Sequence, residues 1–318
     1  MAELRHGNAT EEFPRALSIS TVTAVYEMEK FVGETVRSIV GQKLPGDQYV
    51  VIDGGSSDGT MDIIRCYADG IDVLVSEPDK GQYHAISKGF AVSTGDIMGW
   101  LNADDIYMPW TYAVVREIFT RFPEVEWITG LPSFMNEAGQ LTKVFCKLPS
   151  YPRTYIRNGW YSKHLGAYLQ QESMFWRRSL WEKAGGLDLS LSLAGDFEMW
   201  TRFAQHADLI PVDVPLAAFR ERPGAQRSSV DGDRYASEVN AICTDKAKPS
   251  ALWRWIARRG MALRSGVRLL ITGPGPAIAY DRENHCWRKI ERRRTISRLS
   301  FANLHDEWLL RRRRKTPA

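Results

Sequence analysis

Strand and helix signals alternate from residue 17 to residue 100, and that rhythm restricts the chain to few folds. Leu17 to Val25 is rich in β-branched residues and predicts a strand, and Glu29 to Gly41 carries apolar residues at helical spacing. Tyr49-Val50-Val51-Ile52-Asp53 predicts a short buried strand, after which Gly54-Gly55-Ser56-Ser57-Asp58-Gly59 turns the chain into a helix from Met61. Val73-Leu74-Val75, a helix from about Gln82 to Val92, and the strand Ile97-Met98-Gly99-Trp100 continue the pattern. Strands separated by helices of this length are joined by right-handed crossovers and lie parallel in one sheet. Ligands of such sheets bind beyond the carboxyl ends of the strands. Asp53, Glu77, Asp79, Asp104 and Asp105 all fall there, and their co-location says more than any one of them.

Beyond residue 120 the rhythm loosens. Trp127-Ile128-Thr129 and Gln171 to Trp176 predict strands, and Asp196 to Gln205 predicts a helix with Phe197, Trp200 and Phe203 on one face. Leu209 to Phe219 reads as a strand broken by Pro211 and Pro215, hence an edge. Ser250 to Ile271 is helical in pattern, with Leu252, Ile256 and Leu263 among apolar positions and five interleaved arginines.

The 318 residues, 44% hydrophobic, suffice for one substantial core, and no run of about 18 apolar residues predicts a membrane span. The first sixteen residues are polar and read as a loose tail, unlike a signal peptide. Cys66, Cys146, Cys243 and Cys286 are scattered, which fits neither a disulfide framework nor a zinc site and suits a reducing cytoplasm. The net charge of +4 conceals an asymmetry: from Lys246 onward there are 19 Lys and Arg against 5 Asp and Glu, and before it 23 against 33. The expected organisation is a tail (1–16), an α/β catalytic body (17–245) and a basic, mainly helical C-terminal extension (246–318). Basic and apolar residues at helical spacing suit an anionic membrane surface, here the inner face of the plasma membrane. No recognised nucleic-acid motif accompanies the charge, so no nucleic-acid partner is expected.

Two carboxylates at the open end of a buried strand, Asp104 and Asp105, need a neutralising partner. Oxygen donors there suit Mg²⁺ or Mn²⁺ that also holds phosphate, whereas a cap for the helix after Pro109 is the plainer reading. Asp53 before two glycines serves equally as an Asx-type turn stabiliser, and Asp58 as a helix cap. Asp196 at the start of a helix reads locally as an N-cap. His84 alone on a helix carries no assigned role.

The order of these features resembles the family 2 glycosyltransferases, inverting enzymes with the GT-A fold. The matching pieces run in family order: Thr23-Ala24-Val25-Tyr26, Val36 to Gln42, Val51-Ile52-Asp53-Gly54-Gly55-Ser56-Ser57-Asp58-Gly59-Thr60, Ser76-Glu77-Pro78-Asp79-Lys80-Gly81-Gln82-Tyr83, Asn102-Ala103-Asp104-Asp105 and Gly195-Asp196-Phe197-Glu198. They cover residues 17 to 227 and leave the basic extension outside. The resemblance implies a mostly parallel central sheet flanked by helices. It also implies a nucleotide-diphospho-sugar donor of UDP, dTDP or GDP type, held by Ala24, Tyr26, Asp53, Asp79, Lys80 and Asp104. The metal, Mg²⁺ or Mn²⁺, falls to Asp104 with Asp105 in support, and the general base to Asp196 with Glu198 beside it. Gln171, Glu172 and Trp200 fall on the acceptor side, where Trp160, Tyr161 and Trp200 could stack on sugar, and Arg222 with Gln226-Arg227-Ser228 resembles a closing segment near the diphosphate. The acceptor implied is a saccharide, lipid-linked, of a growing envelope polysaccharide.

Three positions depart from the family pattern. Gly54 stands where a second aspartate is common, Asn102 where an acid opens the acidic motif, and Gly195 where a glutamate precedes the base. These motivate a rival reading as an inactive sugar-nucleotide-binding subunit. A nucleotidyltransferase is the rival enzyme, although the first strand turn lacks the Gly-rich basic phosphate loop such enzymes bring.

Overall fold

The computed structural model describes residues 16–146, 148–160, 169–223, 231–243 and 275–291. Its strands and helices follow in the order β1 (Ile19–Val25), α1 (Val32–Val40), β2 (Gln48–Asp53), α2 (Thr60–Arg65), β3 (Val73–Ser76), α3 (Gln82–Ala91) and β4 (Ile97–Trp100). Next come β5 (Ile106–Tyr107), α4 (Thr111–Arg121), β6 (Trp127–Thr129), β7 (Ser133–Met135), β8 (Leu141–Val144), α5 (Arg153–Arg157), β9 (Met174–Arg177) and α6 (Arg178–Ala184). The last are α7 (Gly195–His206), β10 (Leu209–Pro211), β11 (Ala217–Arg220), α8 (Gly232–Ile242), β12 (Pro276–Asp281) and β13 (Cys286–Glu291).

The main sheet has seven strands in the order β10-β6-β9-β4-β1-β2-β3. Six run the same way, as the alternation predicts, and β9 alone is antiparallel to both its neighbours, β4 and β6. Buried residues alternate faces along each strand with the period-2 of a pleat. Tyr49 and Val51 join Val36, Ile64 and Val115 of α1, α2 and α4, whereas Val50 and Ile52 join Ile86 and Phe203 of α3 and α7. Both faces are therefore covered, the condition for a parallel sheet. A smaller sheet, β5-β11-β7-β8, stands beside the carboxyl end of β4 through β5.

Two expectations change in detail. The strand expected over Gln171 to Trp176 begins as a 3₁₀ turn, Gln171–Ser173, before β9. The segment Leu209 to Phe219 divides into β10 and β11, with β10 at the sheet edge that Pro211 requires. Part of the expected helical extension is instead the β12–β13 hairpin, which docks on the body: Asp213 N–H donates to the Ile278 carbonyl at 2.9 Å and Trp287 Nε1–H to Glu117 at 3.2 Å. The amphipathic helix expected over 250–271 and the basic runs near residues 292–294 and 311–315 lie outside the described residues. Among the described residues no helix is long and apolar enough to cross a membrane.

Candidate active site

The end of β2 is built around Asp53, which is fully buried. Its carboxylate accepts from the N–H groups of Gly55 and Ser56 at 3.1–3.2 Å and from the hydroxyls of Ser56 (2.5 Å) and Ser76 (2.6 Å). That is the turn-stabilising role, and it leaves the side chain little capacity for a nucleoside. Asp58 accepts from Thr60 N–H at the start of α2, as a cap does. The carboxylate facing the open side is Asp79: a Cβ added at Gly54 would lie 2.8 Å from its Oδ2 and 3.4 Å from the ring of Tyr26. The space of the family's second aspartate is thus taken by Asp79, next to an aromatic ring that is 58% exposed. Ala24 sits one register step back on β1, paired with Ile52. Lys80 is exposed, and its backbone N–H meets His84 Nδ1 at 3.4 Å, which gives the histidine a local structural partner.

At the end of β4 the acidic motif separates into two roles. Asp105 is fully buried, and its carboxylate accepts from Arg220 N–H (2.8 Å) and Asn102 Nδ2 (3.3 Å). Burial, with Asp104 and Glu172 nearby, pushes its pKa well up. This carboxylate ties β4 to β11 and is committed to the fold rather than presented as a metal ligand. Asn102 carries Gln82 on its other side, at 2.8 Å, and an acid in its place would repel Asp105. Asp104 remains, ion-paired with Arg222 at 2.7 Å. Arg220 and Arg222 lie over the Phe31 ring at 5.0 and 5.3 Å, with Arg220 also paired to Glu34. Phe31 and Arg220 were not expected in this role; a lone arginine closing the apolar run Leu216 to Phe219 was the available signal.

The antiparallel direction of β9 completes the constellation. Its entry, not its exit, lies at the carboxyl edge of β4, so the 3₁₀ turn delivers Gln171 and Glu172 there. Gln171 Nε2 donates to the Trp100 carbonyl at 2.7 Å, and Glu172 is 2% exposed with Oε1 unpartnered. Loss of water raises the Glu172 pKa to about 8, and the negative charges of Asp104 and Asp196 push the same way. Asp196 follows Gly195 in the first turn of α7 and receives the Tyr83 hydroxyl at 3.1 Å. Burial raises its pKa, opposed by the Phe197 N–H and by Tyr83. A Cβ at Gly195 would strike the Tyr83 ring at 2.7–3.0 Å, so the absent glutamate is exchanged for a tyrosine that reaches the base.

Two expected neighbours are placed elsewhere. Trp200 is 1% exposed and stacks against Trp100 and Trp127 with centroids 5.9 and 5.6 Å apart, which leaves no face for a sugar. Glu198 points along α7 to Arg202 at 2.6–3.0 Å rather than into the site. Trp160 lies against Tyr155. Tyr161 and Gln226-Arg227-Ser228 fall outside the described residues.

Comparison with known proteins accords with this geometry. The chain is 27% identical over 206 residues to an uncharacterised glycosyltransferase of Mycobacterium tuberculosis, covering 64% of this chain and 75% of the relative. Over 135 residues it is 25% identical to a poly-β-1,6-N-acetyl-D-glucosamine synthase of Staphylococcus epidermidis, 42% of this chain and 33% of that one. Its fold matches S. aureus TarS 1–349 in complex with UDP-GlcNAc (TM-score 0.56, 14% identity, 80% of this chain and 73% of that chain). It also matches the mannosyltransferase PcManGT from Pyrobaculum calidifontis in complex with GDP-Man and Mn²⁺ (TM-score 0.52, 19% identity, 80% and 72%). Residues 20–182 match the family model for glycosyl transferase family 2, and the chain is therefore a glycosyltransferase belonging to that family.

Proposed function

We propose that this glycosyltransferase moves a sugar, with inversion, from a nucleotide-diphospho-sugar to a saccharide hydroxyl in envelope or extracellular polysaccharide synthesis. The observation that carries the reading is that Asp104 and Asp196, distant in sequence, both press on one buried acid, Glu172. That is the arrangement direct displacement requires: one carboxylate on the leaving-group side and another to take a proton on the acceptor side. Asp196 accepts the proton of the attacking hydroxyl as the new glycosidic bond forms and the nucleoside diphosphate departs. Asp79 and Tyr26 hold the nucleoside, the first accepting from a ring N–H and the second supplying an aromatic face. The unpartnered Gln171 Oε1, Glu172 Oε1 and Ser173 Oγ line the acceptor side as sites for sugar hydroxyls.

A divalent cation suits Asp104. Among the described residues no cluster of three or more His, Cys, Asp or Glu could hold a metal by itself. Mg²⁺ and Mn²⁺ do not need one, because one or two carboxylates with substrate phosphates suffice. Asp104 would supply that carboxylate, and the bound cation would offset the charge developing on the diphosphate. Attachment at the inner face of the membrane, through the basic C-terminal residues, and a lipid-linked acceptor complete the reading.

The test is thermal stability against a panel of nucleoside diphosphates with and without Mn²⁺, followed by product analysis. A metal-dependent rise with one nucleotide, lost in Asp104→Ala, supports the donor site. Release of pyrophosphate in place of nucleoside diphosphate would identify a nucleotidyltransferase and overturn the reading.

A further inference from the structure

The loop that precedes Asp196 cannot hold itself. Its residues Ser192, Leu193 and Ala194 enter α7 without a side-chain cap, and Ala194 at the N-cap position has no oxygen to offer. The missing acceptor comes from another helix. Glu238 of α8 takes the N–H groups of Ser192 (3.1 Å), Leu193 (2.9 Å) and Ala194 (2.9 Å) on its one carboxylate. From the next turn of α8, Arg234 donates to the Ser192 hydroxyl at 2.7 Å and lies 3.6 Å from Glu238. An apolar contact lies beside it: Val239 and Cys243 pack with Ala194 and Phe197, the residues on either side of Gly195-Asp196.

We infer that Glu238 is a positioning residue for the proposed base Asp196, acting through the Leu193 peptide and Tyr83. Leu193 gives its N–H to Glu238, and its carbonyl lies 3.0 Å from the Tyr83 hydroxyl, the group that also reaches Asp196 at 3.1 Å. One peptide unit thus joins the clamp to the hydroxyl that orients the base. Hydrogen bonds to a carboxylate are about twice as strong as neutral ones, and three on one side chain fix a loop that glycine would otherwise leave free. The inference rests on the proposed role of Asp196, whereas the clamp is a property of the fold that can be measured without substrate.

The test compares Glu238→Ala and Glu238→Gln with the native chain. Hydrogen exchange at residues 192–194 is expected to quicken about tenfold or more in Glu238→Ala and less in Glu238→Gln, which retains one acceptor oxygen. Exchange at native rates in the alanine variant overturns the clamp, whatever the reaction. For turnover the probes are UDP-GlcNAc and GDP-mannose, and for binding, UDP and GDP. The expected result in Glu238→Ala is a kcat about 10- to 100-fold lower, with KM for the donor and nucleotide affinity unchanged and with partial rescue by glutamine. A loss of turnover that merely follows a loss of nucleotide affinity, or no rescue by glutamine, overturns the positioning role. A native chain that binds neither UDP nor GDP would overturn the proposed function instead, and the exchange experiment would still judge the clamp.

Discussion

The Tyr83 hydroxyl stands 3.1 Å from Asp196 Oδ1 and 3.0 Å from the Leu193 carbonyl, so one proton serves the first turn of α7 and the proposed base together. This hydrogen bond stabilises ionised Asp196 against burial, which raises its pKa. In Tyr83→Phe the pKa of Asp196 rises further, so the acidic limb of the kcat–pH profile moves to higher pH. The KM for donor should stay the same, and an unmoved limb would remove Tyr83 from the proton path.

Gly195 and Tyr83 are a matched pair. Gly195→Ala places a methyl 2.7–3.0 Å from a ring that is 7% exposed and hemmed in by α3 packing. The expected cost is about 1–3 kcal/mol in denaturant unfolding. Tyr83→Ala in the same chain should relieve the clash while leaving its own cavity, so the two costs should fall short of additive.

Glu172 makes stability depend on pH. Its folded-state pKa of about 8 lies above the ordinary 4.5, chiefly through desolvation. The folded state therefore holds this proton more tightly, and the associated stability is complete below the ordinary value and is lost as pH rises through about 8. Glu172→Gln should flatten that decline and raise Tm at pH 8 in metal-free buffer, with little effect at pH 4. A mutant curve parallel to the native one would show that Glu172 titrates normally.

Arg222 neutralises Asp104 across 2.7 Å, with 16% and 14% of the two side chains exposed. Arg222→Ala leaves a half-covered carboxylate unpaired and should cost about 1–3 kcal/mol. Mn²⁺ at millimolar concentration should raise the Tm of this variant more than that of the native chain, because a cation held by Asp104 would replace the lost charge. Equal shifts in both would place the metal elsewhere.

The alternation of β-branched strands and amphipathic helices up to residue 100 was readable because it depends on local periodicity, and the parallel sheet follows from it. The strand-end positions of Asp53, Asp79 and Asp104 were readable for the same reason. Their division of labour was not. Asp53 is absorbed by its own turn and Asp105 by Arg220, while Asp79 occupies the space above Gly54. Each outcome depends on what a side chain meets across the fold, and spacing along the chain carries no record of it.

Sequence by itself determined the α/β class, the edge of the sheet where a ligand binds, and the carboxylates gathered there, since backbone propensity and strand polarity are local properties. Tertiary structure alone decided that β9 runs against its neighbours and carries Glu172 to that edge. It also decided that Trp200 belongs to the core and that Tyr83 and Glu238 hold the loop of Asp196. Hydrogen bonds and burial between residues far apart in the chain settle such matters, because their energies depend on contact distance and desolvation rather than on order in sequence.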